Sequence, residues 1–418
     1  AYGVLNGGSA TSYCDRKKNR NFAPPLFDAV ENEFSQLADQ ASGRPKGLAP
    51  AFINPDGSPG PSFLELKMRG LLIQHLHYQH RFAHKPAKQN GHENMPASSP
   101  MFQMSSVFTR QELMKAYEDF KQSPYLKDLI QETGIDITAV HDAQQPLLAA
   151  FTHSSEGKPR RIFSQAYGKK NTPVAVPGGH GQNFLILADI YRKLYQEGNH
   201  FVYLGNVDNI GFNIEPTSLA FFALSDKPAA FEFSFKTPVD VKGGVLLKDQ
   251  NGVLTCGDIG PAVKPEDIAT AEKDGTPILF NAATGLFRLE NLIEQLDTII
   301  TSLPVRVSDQ DKDPGRYSQA EQVTWEIIGM LEKPLIFGIN KYKRFLAAKL
   351  LTETMITSGR IPDSAFSKSA EQREKYAALH QESKRLQEGL HSLLTKEFAC
   401  VLENKRYRPL LAKEILIQ

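Results

Sequence analysis

Cysteine is scarce: Cys14, Cys256 and Cys400 are the only three in the sequence. They are far apart and form neither a CxxC pair nor a ladder of bridges. That excludes a disulfide framework and fits a reducing compartment, so the expected location is cytoplasmic. Long apolar runs are also missing. None approaches the roughly 20 residues needed to cross a bilayer, and no charged-then-apolar leader opens the sequence, so no membrane partner is expected. Excess charge of either sign is absent too, with 48 Lys and Arg against 47 Asp and Glu. No global field draws the protein to nucleic acid, and any anion binding must come from a local cluster. There is no tandem repeat. What is present is 418 residues of 41% hydrophobic content, enough for a large core in one large domain with insertions or in two to three domains.

The most informative stretch is Tyr203-Leu204-Gly205-Asn206-Val207-Asp208-Asn209. An apolar run from Phe201 ends abruptly in small and acidic residues, which reads as a buried strand delivering a carboxylate to the carboxyl edge of a sheet. Open α/β sheets bind ligands at that edge. Asp208 there could take a position around Mg²⁺, leaving the others to water and substrate phosphates; the alternative is an Asx turn or helix N-cap. Tyr2 to Leu5 is a second short strand, running into Asn6-Gly7-Gly8-Ser9, where backbone N–H groups can turn toward phosphate oxygens or simply end the strand.

Further strands are expected at Met101 to Ser106, Ile135 to Val140, Ala229 to Phe235, Thr276 to Phe280 and Leu335 to Ile339, with a hairpin from Val245 to Cys256. Helices are expected from Pro25 to Ala41, from a Ser62 cap onward, at Thr109 to Lys121, Asn183 to Gln196, Pro216 to Leu224, Leu286 to Leu303 and Glu321 to Leu331. The alternation gives an α/β fold with a sheet flanked by helices. His141 to Pro146 reads as a polar strand exit offering amides to a base edge. Lys85 to Ser99 and Ser308 to Tyr317 read as loops. The scattered His75, His77, His80, His84 and His92 lack a regular ligand spacing. Val176-Pro177-Gly178-Gly179-His180-Gly181 places a histidine among glycines ahead of a helix, where a ligand can approach the backbone. Ser369 to Phe398, rich in Glu, Lys, Gln and Leu, reads as one or two helices serving packing or oligomerisation.

Taken together, these residues resemble the eukaryotic-type UTP:glucose-1-phosphate uridylyltransferase family of UDP-sugar pyrophosphorylases, over about Tyr2 to Glu353. Leu5-Asn6-Gly7-Gly8-Ser9-Ala10-Thr11-Ser12 is similar to its nucleotide loop, and Pro45-Lys46 to its proline-lysine pair, displaced here by an insertion at 15–43. Gly179-His180-Gly181, Asn206-Val207-Asp208-Asn209 and Lys236-Thr237-Pro238-Val239-Asp240-Val241-Lys242-Gly243-Gly244 match further motifs. So do Gly338-Ile339-Asn340 and Phe345-Leu346-Ala347-Ala348-Lys349. The sequence departs from the family at Ala10 and Tyr13, at Phe280-Asn281-Ala282-Ala283-Thr284 and at Gly257-Asp258-Ile259-Gly260-Pro261. The short apolar repeats of the family's C-terminal β-helix are not found after Pro362.

The resemblance implies a Rossmann-like, GT-A-like nucleotidyltransferase domain at 1–362 and a C-terminal helical region at 363–418. It implies a reaction of UTP with a sugar 1-phosphate, glucose 1-phosphate by default, and Mg²⁺ held by Asp208. Lys46 and Lys349 are the implied catalytic lysines. Leu5, Gly7 and Gly8 would meet the nucleotide, Gln145 and Gly179 the uracil, His180 and Asn206 the sugar phosphate or sugar, and Gly244, Asp258 and Asn281 the hexose. The alternatives are a catalytically silent nucleotide-sugar binder, motivated by Ala10 and the altered sugar-side motifs, and a pyrophosphorylase for another sugar such as N-acetylhexosamine 1-phosphate.

Overall fold

The computed structural model describes residues 1–82 and 99–417. Its centre is a nine-stranded mixed sheet built from β1 (Tyr2–Leu5), β2 (Met101–Ser106), β3 (Val140–Gln145), β4 (Phe201–Asn206), β5 (Ala229–Phe235), β6 (Gly244–Lys248), β7 (Leu254–Asp258), β8 (Leu279–Arg288) and β9 (Leu335–Gly338). Seven of these lie in the order β7-β6-β8-β4-β1-β2-β3, while β5 pairs with β8 and carries β9 on its far side. Strands β3, β2, β1 and β4 are parallel, and β8 runs antiparallel to β4. β1 and β4 are near-continuous apolar runs because both their faces are covered.

The insertion at 15–43 forms two helices, α1 (Arg16–Phe22) and α2 (Pro24–Ala41). Asp15 caps α1 by accepting Lys18 N–H, and the apolar side of α2, including Phe27, Val30 and Phe34, packs into the main core. Helix α3 (Phe63–Phe82) starts with the expected reciprocal cap, Ser62 N–H to Glu65 and Glu65 N–H to Ser62. Arg69 on α3 is buried and donates to four carbonyls, those of Tyr125, Phe398, Ala399 and Leu410, which ties the C-terminal segment to the core. That segment contains α4 (Ala370–Lys396), a single long helix, followed by a hairpin of Cys400–Glu403 with Arg406–Pro409. Leu379, Leu386, Leu390, Leu393 and Leu394 of α4 are buried in this chain's own core.

Four expectations are corrected. The strand expected at Ile135 to Val140 is Val140–Gln145, while residues 135–139 form the approach to it. It is an edge strand, mostly half-exposed, so polar side chains such as Asp142 serve there by bonding Gln103 and Arg110. β8 continues to Arg288, so its helix begins at Leu289, not Leu286. The stretch 308–317 is no loop: Val305–Lys312 and Gly315–Gln322 pair as a hairpin. The helix expected at Glu321 to Leu331 is a short 3₁₀ turn, Thr324–Met330. The hairpin reaches the insertion through Lys17 Nζ to Asp311 at 2.6 Å and Asp313 N–H to Asp15 at 3.0 Å. The basic run Arg16-Lys17-Lys18 is thus engaged by Glu31, Asp311 and Gln310.

No helix among the described residues is long and apolar enough to cross a membrane. The loop expected at 85–99 lies, apart from Ser99, outside the described residues, as do His84 and His92.

Candidate active site

The register of the parallel strands builds the site. Leu5 pairs with Asn206, so the glycine loop after β1 and the Asp208 turn after β4 leave the sheet side by side. The chain at 344–348 then fastens the turn: Ile210 N–H donates to Leu346 O at 2.9 Å and Asn209 Nδ2 to Arg344 O at 3.0 Å. Lys46 N–H bonds Gly8 O at 2.9 Å, which brings the displaced lysine back beside the glycine loop despite the inserted helices.

Lys46 and Lys349 consequently meet on one carboxylate. Lys46 Nζ lies 2.5 Å and Lys349 Nζ 3.0 Å from Asp208 Oδ2, and Lys46 also donates to Ala348 O at 2.6 Å. Asp208 is only 4% exposed. Burial alone pushes its carboxyl up, but the ammonium groups of Lys349 and Lys46 outweigh it and hold the group well below the usual carboxylate range. Burial lowers the Lys46 ammonium, partly offset by Asp208.

His180 sits on a turn pressed against the hairpin. Gly179 has φ +84°, and a Cβ there would lie 2.3 Å from Gln322 O, so the turn admits only glycine. Thr324 N–H donates to His180 Nδ1 at 3.1 Å, which leaves the proton of the neutral ring on Nε2. Burial, with Lys349 nearby, pushes the imidazole down to about 4.

On one side of this centre Gln145, Gly7 and Gly179 come together. Gln145 Nε2 donates to Gly179 O at 2.7 Å and to Gln182 Oε1 at 2.9 Å, and a Cβ on Gly7 would stand 2.9 Å from Gln145 Oε1. On the other side lie Gly244, Asp258 and Asn281. Gly244 pairs with Asp258 across the hairpin, and its missing Cβ would meet Cys256 Sγ at 2.5 Å and Asp258 Oδ1 at 3.2 Å, with Asn281 Cβ at 3.5 Å. Asn281 Oδ1 accepts Ala283 N–H at 2.7 Å, whereas its buried Nδ2 has no partner among the described residues. Burial raises the Asp258 carboxyl to about 6, with Lys349 pulling the other way. Asn206 is half-buried at the end of β4, Gly8 is exposed, and the Leu5 side chain is buried in the core, leaving its backbone for any ligand.

The site residues implied by the resemblance therefore lie along the carboxyl edge of the parallel strands or on segments packed against it, whereas His75, His77 and His80 lie on α3. Tyr13, Glu353 and Thr324 were missed. Lys46 Nζ lies over the Tyr13 ring at 5.5 Å, Tyr13 Oη bonds Thr354 at 2.8 Å, and Glu353 Oε2 accepts the N–H groups of Lys349 at 2.6 Å and Leu350 at 2.9 Å. A glutamate four residues after Lys349 at a helix start was the one available signal for Glu353. Among the described residues no group of three or more His, Cys, Asp or Glu could hold a metal. A lone buried carboxylate flanked by lysines fits a cation shared with substrate phosphates, not one held by the protein alone.

Residues 88–361, well over half of the chain, match the family model described as UTP–glucose-1-phosphate uridylyltransferase. The chain belongs to this family. Among curated relatives, a UTP–glucose-1-phosphate uridylyltransferase of Encephalitozoon cuniculi is 28% identical over 101 residues, covering 23% of this chain and 20% of that protein. UTP–glucose-1-phosphate uridylyltransferase 2 of Dictyostelium discoideum is 27% identical over 133 residues, 30% of this chain and 26% of its own. The chain thus aligns with about a quarter or less of these relatives' length. Among solved structures, a UDP-glucose phosphorylase of Trypanosoma brucei superposes with TM-score 0.59 at 16% identity, covering 86% of this chain and 66% of that one. A point mutant of Leishmania major UDP-glucose pyrophosphorylase, solved with UDP-glucose, gives TM-score 0.55 at 17% identity, covering 85% and 64%. These superpositions establish that the family member has the family's mixed α/β fold.

Proposed function

We propose that this family member is a uridylyltransferase that forms a UDP-sugar and pyrophosphate from UTP and a sugar 1-phosphate, glucose 1-phosphate foremost. The observation that carries the proposal is the meeting of Lys46 and Lys349 on Asp208 beside the glycine loop. A phosphate oxygen of the sugar 1-phosphate attacks the α-phosphorus of UTP; the new P–O bond forms as the bond to the β-phosphate oxygen breaks, and pyrophosphate departs in line. The nucleophile is already ionised, so no general base is required, and the protein's task is to position anions and neutralise their charge.

Lys46 serves the β- and γ-phosphates and Lys349 the sugar phosphate and the charge gathering at the α-phosphorus. Asp208 is the residue that would hold Mg²⁺, which when bound supplies further charge neutralisation at the phosphates. Leu5, Gly7 and Gly8 offer backbone to the nucleotide. Gln145 and Gly179 frame the uracil, and the neutral imidazole of His180 donates from Nε2 toward the sugar phosphate beside Asn206. Gly244, whose missing side chain lets Cys256, Asp258 and Asn281 close in around it, offers its backbone to the hexose, whose hydroxyls meet Asp258 and Asn281. The test is pyrophosphate release from each nucleoside triphosphate paired with a panel of sugar 1-phosphates in the presence of Mg²⁺. Turnover confined to UTP with a hexose 1-phosphate is expected; binding of UTP without turnover on any sugar 1-phosphate refutes the proposal.

A further inference from the structure

Lys67 lies on the buried side of α3, between Leu66 and Met68, and is 1% exposed. Its Nζ donates to three backbone carbonyls, those of Asn209, Ile210 (3.2 Å) and Phe212 (2.9 Å), and lies 5.3 Å from the Phe212 ring. No carboxylate bonds it among the described residues. Three acceptors require three N–H donors, which the ammonium has and the free amine lacks. A charge buried without a counter-ion opposes folding, and burial together with neighbouring Arg344 pushes this ammonium well below the usual lysine range. The three carbonyls belong to the turn that directly follows Asp208, and the field of the Asp208 carboxylate favours the charge.

We infer that Lys67 is a positioning residue: it pins the turn at 209–212 to α3 and so fixes where the Asp208 carboxylate stands relative to Lys46 and Lys349. The inference rests on the proposed role of Asp208 toward a divalent cation and phosphates. Arg69, two residues on, supplies the control. It is equally buried and also donates to carbonyls, but those belong to Tyr125, Phe398, Ala399 and Leu410, outside the Asp208 turn.

The experiment compares Lys67→Met and Arg69→Met with the unmodified protein. Stability is followed by urea unfolding, and Mn²⁺ binding in the presence of UTP by the loss of the free-Mn²⁺ electron paramagnetic resonance signal. Both variants are expected to lose stability, but only Lys67→Met should weaken Mn²⁺ binding, by about 10- to 100-fold, the scale typical when a group that orients a metal ligand is removed. Should Lys67→Met fail to fold, Lys67→Gln, which keeps two N–H donors, takes its place with a smaller loss in the same direction. Unchanged Mn²⁺ affinity in the Lys67 variant, equal weakening by Arg69→Met, or failure of both Lys67 variants to fold overturns the inference in favour of a purely structural clamp. If the unmodified protein binds no Mn²⁺ with UTP, the proposed role of Asp208 fails instead.

Discussion

Lys46 and Asp208 are 162 residues apart in sequence, and their charged atoms are 2.5 Å apart in space. The pair is closed by two unrelated segments, the chain after the inserted helices and the turn after β4, both leaning on the backbone at 346–348.

From this pair follows the first prediction. Asp208→Asn removes the carboxylate that both lysines bind and should reduce kcat to less than about a tenth of the original at saturating Mg²⁺, because an amide is a poor ligand for a hard cation and carries no charge. Lys46→Met should lower kcat by about 10²- to 10³-fold while weakening UTP binding much less, the pattern of a charge used chiefly in the transition state. Steady-state rates measured beside calorimetric UTP titrations check both, and a Lys46 variant whose loss is entirely in UTP affinity contradicts the assignment.

The base should be read through Gln145. Its amide is oriented by donation to Gly179 O and Gln182 Oε1, so Oε1 is turned toward the glycine loop, where it can accept the N3–H of uracil. Cytosine presents an acceptor at that position and would leave both groups unpaired. An unmade buried hydrogen bond costs about 1–3 kcal/mol, or roughly 5- to 150-fold in specificity. The ratio of kcat/KM for UTP over CTP should fall in that range, and Gln182→Ala, which frees the amide to turn, should reduce it. Equal rates with UTP and CTP would show that Gln145 does not read the base.

The site was more legible in the sequence than parts of the fold. Asp208 and the glycine loop stand where apolar strands end in small or acidic residues, and that pattern survives without any tertiary information. The hairpin at 305–322 was lost for a physical reason. Its residues alternate correctly, but Val305 and Val307 face solvent while Arg306, Ser308, Gln310 and Lys312 are the less exposed set, the inverse of an ordinary half-buried strand. β3 was misplaced because an edge strand can be polar. Tyr13 and Thr324 carry no local signal, since their contacts to Lys46 and His180 cross 33 and 144 residues. The meeting of Gly244, Asp258 and Asn281 depends on a hairpin register and on the irregular pairing of β8 between Asn281 and Gly285.

Glu353 gives a pH-dependent expectation. Burial raises its carboxyl from the ordinary 4.5 to about 7, against two backbone N–H bonds that favour the ionised form. The folded state therefore keeps a proton that the unfolded chain releases. This contribution to stability is fully present below pH 4.5 and is lost as pH rises toward about 7. Glu353→Gln stays neutral and can still accept the N–H groups of Lys349 and Leu350. Relative to the unmodified protein it should gain stability between about pH 5 and 8, by about 1–3 kcal/mol. Urea unfolding at those two pH values decides the matter; a constant difference between the proteins rules out titration of Glu353 in this window.

Asn281 tests the hexose side. Its Oδ1 is engaged with Ala283 N–H, but its Nδ2 is buried without a partner among the described residues, an arrangement that costs stability unless a ligand completes it. Asn281→Ala removes one satisfied acceptor and one unsatisfied donor together, so the two effects on folding oppose each other and the change in stability should be small. Binding is different, because a hexose hydroxyl placed beside Asp258 would lose its hydrogen-bond donor outright. At about 1–3 kcal/mol for such a bond, the KM for glucose 1-phosphate should rise roughly 5- to 150-fold. UTP affinity should stay constant, since Gln145, Gly7 and Gly179 lie on the other side of the Lys46–Asp208–Lys349 centre. A split of this kind, sugar phosphate affected and nucleotide untouched, identifies Asn281 as a hexose contact. An unchanged KM with every hexose 1-phosphate tried removes Asn281 from the site, and an equal loss in UTP affinity moves the defect to the shape of β8 instead.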